Sequence, residues 1–191
     1  MPSEALVLGF DTSAAQCAAA LLSGERLLAA RAEEMGRGQA ERLIPLIEEV
    51  LAEAGHGWTE LSRIGCGTGP GNFTGIRISV AAARGLALSL GIPAVGVTTF
   101  EAIRLADPDA LAAVPAPRGQ VYLARPGAAP ELVAAEDAGD ARFPPPPAEM
   151  ARAIAAVAAR SAAHTPPAPL YLRAADAAPP RDAPPEIIDD L

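Results

Sequence analysis

The 191-residue sequence is poor in aromatic side chains: one Trp, two Tyr and four Phe, 4% in all. Half of its residues are hydrophobic, so its core must be built from Ala, Val, Leu and Ile. Cysteine is scarce too. Cys17 and Cys66 lie far apart, each in an apolar run, which excludes a disulfide framework or a CxxC pair and reads as two reduced thiols of a cytoplasmic protein. The two histidines, His56 in "AGHGW" and His164 in a Pro-rich stretch, form no HxxxH or HExxH pair, so no metal site is expected. No GxSxG elbow is present. Positive charge is also short. Fifteen basic residues face 23 acidic ones, a net charge of -8, which excludes a tight independent grip on nucleic acid. "MPSEALVLGFDTS" has Glu4 and no basic region, unlike a secretory signal. The longest uncharged run, Gly85 to Phe100, is broken by "GIP" and reads as helix end, turn and strand, so no membrane span is expected.

What is present is an α/β pattern. Ala5–Phe10, Cys17–Ser23 and Leu27–Arg31 are apolar runs with short links, as in an antiparallel meander. Leu43, Ile47, Val50 and Ala54 recur at helical spacing, and Gly55 suits the C-cap. Pro45 predicts that this helix starts late, near Ile44, or kinks. Ile64–Thr68 reads as a strand, Thr74–Leu90 as a helix stopped by Gly91 and Pro93, Ala94–Thr98 as a strand and Thr99–Ala106 as a short helix. The order is βββαβαβα, with a mixed sheet. Beyond Asp107 the composition shifts to Ala and Pro, which predicts a boundary between residues 1–106 and 107–191. The second part suggests strands at Leu111–Val114, Gln120–Arg125 and Glu131–Ala135, a helix at Met150–Arg160 and a last strand at Leu170–Arg173. A flexible tail is expected after these. This half echoes the first in brief.

Two motifs carry candidate chemistry. "GTGPGNFTGIR", Gly67 to Arg77, has four glycines between a strand and a helix. It is neither a Walker loop nor GxGxxG. Gly69, Pro70, Gly71, Asn72 and Phe73 could present backbone N–H groups to an anion, or the glycines could simply allow a sharp turn; spacing alone favours the turn. Asp11, Thr12 and Ser13 could orient a phosphate or water, and equally suit turn chemistry. The helix after the glycine loop is apolar nearly all round. Ile76, Val80, Ala83, Ala87 and Leu90 should face the sheet, leaving Ile78, Ala81, Ala82, Gly85 and Ser89 outward, flanked by Arg77 and Arg84. Burial of that outer face is expected from another subunit, slightly ahead of cover by the second half of the chain, with Leu43 and Leu46 of the first helix beside it.

"LGFDTSAAQCAAALL", "RGQAERLIPLIEEVL", "GTGPGNFTGIRISVAAARGLALSLGIPAVGVTTFEAI" and "LYLR" together resemble the bacterial TsaB (YeaZ) family, closely from Ala5 to about Arg104. The resemblance implies a ribonuclease-H-like unit of the actin-like ATPase superfamily, with a shortened second half of related topology. It implies a role in making threonylcarbamoyladenosine at position 37 of tRNA, as a non-catalytic partner of the catalytic TsaD subunit, joined by the TsaE ATPase. In this family the lone protein is expected to form a homodimer, and ATP and Mg²⁺ enter only through the partners. Where the family shows a His-Ser-Glu-Arg-like helix start, this chain has Gln39, Ala40, Glu41 and Arg42; in the second half Pro115 replaces an Asp. No second glycine loop is present, so Asp11–Ser13 and Gly69–Phe73 are expected to be at most a weak or vestigial nucleotide site. A peptidase of the family's glycoprotease heading and a stand-alone ATP-binding protein are the alternative readings.

Overall fold

A computed structural model describes residues 5–162 and 166–172. The expected tail, His164 and Arg173 lie outside the described residues. Three strands open the chain, β1 (Leu6–Asp11), β2 (Gln16–Ser23) and β3 (Arg26–Glu34), followed by helix α1 (Gln39–Ala54). Then come β4 (Leu61–Gly67), α2 (Phe73–Leu90), β5 (Ala94–Val97) and α3 (Thr99–Ile103). A second meander, β6 (Ala112–Ala116), β7 (Gln120–Ala124) and β8 (Glu131–Ala134), leads into α4 (Pro147–Arg160). The main sheet has the order β3-β2-β1-β4-β5. β1, β2 and β3 pair antiparallel, while β4 and β5 run parallel to β1. This is the ribonuclease-H-like βββαβαβα unit.

Alternation along β1 sends side chains to two faces. Leu6, Leu8 and Phe10 join Leu43, Leu46, Ile47, Ile76 and Val80 in one core beneath α1 and α2. Val7, with Val95 and Val97, joins Met150, Ile154, Ala155 and Ala158 of α4 in the other. The main sheet therefore lies between two helical layers. An ideal Cβ at Gly9 would lie 2.4 Å from the Ala151 carbonyl oxygen, and one at Gly65 2.8 Å from the Ala158 Cβ. Glycines in the sheet opposite alanines in the helix bring α4 down close to the strands.

That packing spans the expected division at residue 106: the small sheet β6-β7-β8 stands apart, and α4 from the Ala/Pro-rich half covers the first sheet. The last expected strand is corrected. Leu170–Leu172 is irregular, although the Leu170 N–H donates to the Thr68 carbonyl at 2.8 Å.

Helix α1 starts at Gln39, not near Ile44, and contains Pro45. Pro45 and Glu41 are both exposed, so the carbonyl four residues before the proline faces water rather than core. Leu43 and Leu46, expected on a partner face, are fully buried in the chain's own core, because α1 lays that stripe on β2. The helix is also tied to β3 through Arg42, whose guanidinium donates to Glu33 at 2.6 Å and to Glu49 at 2.8 Å. These hydrogen bonds hold both carboxyls below the usual range. His56 in its turn pairs with Glu60 at 2.9 Å.

Helix α2 carries two charges in 18 residues and has the length and hydropathy of a membrane span. Here it lies along the sheet on Ile76, Val80 and Ala83. Its Ser79 is fully buried, and its hydroxyl is without a hydrogen-bond partner among the described residues. The carbonyl one turn back, on Gly75, accepts instead from the Thr12 hydroxyl at 2.7 Å. A buried orphan hydroxyl costs about 1–3 kcal/mol. Ser79→Ala is therefore expected to leave the melting temperature unchanged or raise it; a fall of several degrees would show that the hydroxyl has a stabilising contact.

Candidate functional site

The parallel strands β1, β4 and β5 end side by side, and ligands in open α/β sheets bind at such carboxyl ends. Asp11 ends β1. Its carboxylate accepts from the Ser13 N–H at 3.1 Å, the Ser13 hydroxyl at 3.1 Å and the Gln16 amide at 3.0 Å. Burial pushes its pKa above the ordinary carboxylate value, against the opposing pull of those hydrogen bonds. Gly67 ends β4, and an ideal Cβ there would lie 2.0 Å from Asp11 Oδ1. The first glycine of the motif thus makes room for the carboxylate.

Two further glycines of the motif, Gly71 and Gly75, make room for a neighbouring backbone. Cβ atoms at Gly71 and Gly75 would lie 2.2 Å from the Ser13 carbonyl oxygen and 1.9 Å from that of Thr12. The Asn72 N–H donates to the Ser13 carbonyl at 2.6 Å, and the Asn72 side chain caps α2 by accepting from the Gly75 N–H at 2.9 Å. Thr12 and Ser13 are both buried. The two sequence motifs are therefore packed backbone to backbone. Glycine is needed there so that a hairpin can sit on a helix start, and several of the motif's donors are used inside the protein.

The structure brings Asp11, Ser13 and Pro70–Phe73 to one wall of a cavity of about 1000 Å³. Thr12, Gly69 and Gly67 stand behind that wall. The opposite wall comes from the second half: Val114–Pro117, Tyr122 and Phe143–Pro145, with Leu170–Leu172 closing one side. Sequence reasoning missed Tyr122, Phe143 and Tyr171, which no motif marks. Their only signal is that aromatics are rare in this chain and that several fall in its second half. Tyr171 stacks on Phe73 with ring centroids 4.8 Å apart, and its hydroxyl oxygen accepts from the Arg77 guanidinium at 3.0 Å. That guanidinium lies 3.9 Å from the Phe73 ring centroid.

No basic side chain lines the cavity among the described residues. A nucleotide triphosphate there would meet a buried carboxyl and no compensating cation. MgATP titrated calorimetrically into the lone chain is expected to bind with a dissociation constant on the order of 1 mM or weaker, little over 4 kcal/mol. Micromolar binding would restore a working nucleotide site. Neither cysteine lines the cavity: burial pushes the Cys17 thiol to about 11 and the Cys66 thiol to about 12, with the nearby Asp11 adding to both.

The second candidate surface is the outer face of α2. Arg77, Ala81, Arg84, Gly85 and Ser89 are exposed as expected, whereas Ile78 and Ala82 are half-buried against the core. Leu88, overlooked in the sequence, is 86% exposed in the middle of this face. Ile44 on the outer side of α1 is also exposed. Gly85 has open space around its Cβ position, so nothing in the chain itself requires glycine there.

Residues 32–170 match the family model described as TsaD, tRNA N6-adenosine threonylcarbamoyltransferase. The chain is 32% identical over 124 residues to the tRNA threonylcarbamoyladenosine biosynthesis protein TsaB of Escherichia coli (strain K12), covering 62% of this chain and 53% of that protein. The chain spans about half the length of the curated relatives it matches. Two solved structures from Pseudomonas aeruginosa are similar. An uncharacterized protein with similarity to peptidase YeaZ superposes with a TM-score of 0.71 at 25% identity, over 88% of this chain and all of the other. YeaZ itself gives 0.60 at 28% identity, over 70% and 68%.

Proposed function

This chain belongs to the TsaD-type threonylcarbamoyltransferase family, on its TsaB (YeaZ) side, and from that membership we propose that it works in threonylcarbamoyladenosine synthesis on tRNA as a non-catalytic partner of a TsaD subunit. The observation that carries the pairing is the uncovered outer face of α2, with Leu88 86% exposed between Ala81, Gly85 and Ser89. Small residues let a second helix approach closely, and an exposed leucine among them gains about 1.5–3 kcal/mol when covered. In the absence of TsaD the same face pairs with itself in a homodimer. The TsaE ATPase joins the assembled pair, which supplies the nucleotide and Mg²⁺.

The polar groups at the strand ends support a supporting role over a chemical one. Thr12 is fully buried and spends its hydroxyl on the Gly75 carbonyl, a backbone acceptor that does not activate it as a nucleophile. The net charge of -8 fits a cytoplasmic subunit that leaves tRNA to its partner. Co-expression with the same organism's TsaD, followed by size exclusion, tests the reading. A stoichiometric complex is expected with TsaD, and a dimer is expected for the lone chain. A chain that stays monomeric and never co-elutes with TsaD overturns it.

A further inference from the structure

Four of the chain's seven aromatic residues, Phe73, Tyr122, Phe143 and Tyr171, line the cavity of about 1000 Å³ between β1, the α2 start and the second sheet. Phe143 is 48% exposed and Tyr171 41%, whereas Phe10 and Phe100 are buried in the core. At the floor lies Asp11, 3% exposed, held by three neutral donors and without a cationic hydrogen-bond partner among them. A buried carboxylate without a counter-charge is costly unless a cation or proton reaches it. At the rim the protein already uses these rings as a cation surface. The Arg77 guanidinium sits 3.9 Å from the centroid of Phe73 and 6.0 Å from that of Tyr171.

We propose that this cavity binds a flat organic cation, an aromatic ring system bearing a positively charged nitrogen, with its rings against the aromatic walls and its charge directed toward Asp11. Aromatic faces attract cations electrostatically, and the surrounding proline and aliphatic walls add apolar contact for the ring system. The volume of about 1000 Å³ takes a ligand of two or three fused or linked rings. An anionic ligand of the same shape is disfavoured by the Asp11 carboxyl, and the nearby Arg77 guanidinium is already engaged by Tyr171 and Phe73.

The test uses the full chain and three flat dyes: cationic thioflavin T, anionic anilinonaphthalene sulfonate and neutral Nile red, each followed by fluorescence. Thioflavin T is expected to saturate with a dissociation constant on the order of 10 μM, and the other two at least about tenfold weaker. Phe143→Ala, at an exposed rim position that the fold does not need, should weaken thioflavin T about fivefold. Asp11→Asn should abolish the preference for the cation; if that variant does not fold, the dye comparison and Phe143→Ala still decide. Equal or tighter binding of the anionic or neutral dye overturns the proposal. So does thioflavin T binding that Phe143→Ala leaves unchanged, or its displacement by micromolar MgATP.

Discussion

Gly75→Ala is expected to destabilise the chain by about 3 kcal/mol, one methyl group notwithstanding. The added Cβ would lie 1.9 Å from the Thr12 carbonyl oxygen and 2.9 Å from its carbon, both backbone atoms. Neither side can retreat cheaply. The Thr12 hydroxyl is bonded to the Gly75 carbonyl, the Ser13 carbonyl takes the Asn72 N–H, and Asp11 is locked to Ser13 on the next residue. Moving the hairpin breaks all three contacts; moving α2 lifts Ile76 and Val80 off the sheet. The same substitution three turns along the helix should have the opposite sign. Gly85 has no neighbour within 4 Å of its Cβ position, and alanine in a helix interior is favoured over glycine by about 1 kcal/mol. Urea titrations of both variants check the pair. Equal midpoints for Gly75→Ala and wild type would mean that the hairpin and helix start are not packed as described.

The order of elements was legible because it rests on short-range signals. Apolar runs of strand length, the Gly55 and Gly91 stops and the turn residues after Ser23 each act locally, and the structure has strands and helices where they point. What periodicity does not supply is phase. Leu43 and Leu46 mark one face of a helix, but only the position of the sheet decides that this face is inward. Leu88 failed in the opposite direction, since a leucine in an apolar helix gives no sign that it points at water. The glycine loop shows a further limit. A strand, several glycines and a helix start look alike whether the glycines admit a phosphate or a neighbouring backbone, and here Thr12 and Ser13, sixty residues earlier, are that neighbour.

The second half was harder to read for a related reason. Alanine and proline carry little hydrophobic contrast, so the composition change at Asp107 suggested a boundary. The alanines of α4 instead match Gly9 and Gly65 of the first sheet, and the match depends on the small size of both sides. The aromatic cavity was invisible because its residues come from separate segments, each holding one or two.

Leu88→Glu should separate pairing from folding. Its side chain is 86% exposed and touches little of its own core, so the melting curve should stay close to wild type. It is a better probe than Ala82, which is half-buried against the main core and would confound the two effects. On the proposed interface, the substitution removes an apolar anchor and places a carboxylate where it loses water without gaining a partner. Arg84, one turn before Leu88 on the same face, offers some relief if it can swing over, but it is then withdrawn from the interface itself. Breaking or burying an unpaired interface charge costs several kcal/mol, so binding to TsaD should weaken by at least about a hundredfold, and the lone chain should elute as a monomer. Leu132→Glu is the control. Leu132 is 50% exposed on β8, on the small sheet, and the same charge there should leave pairing intact. If Leu88→Glu co-elutes with TsaD at wild-type affinity, or if Leu132→Glu is equally disruptive, the outer face of α2 is not the pairing surface.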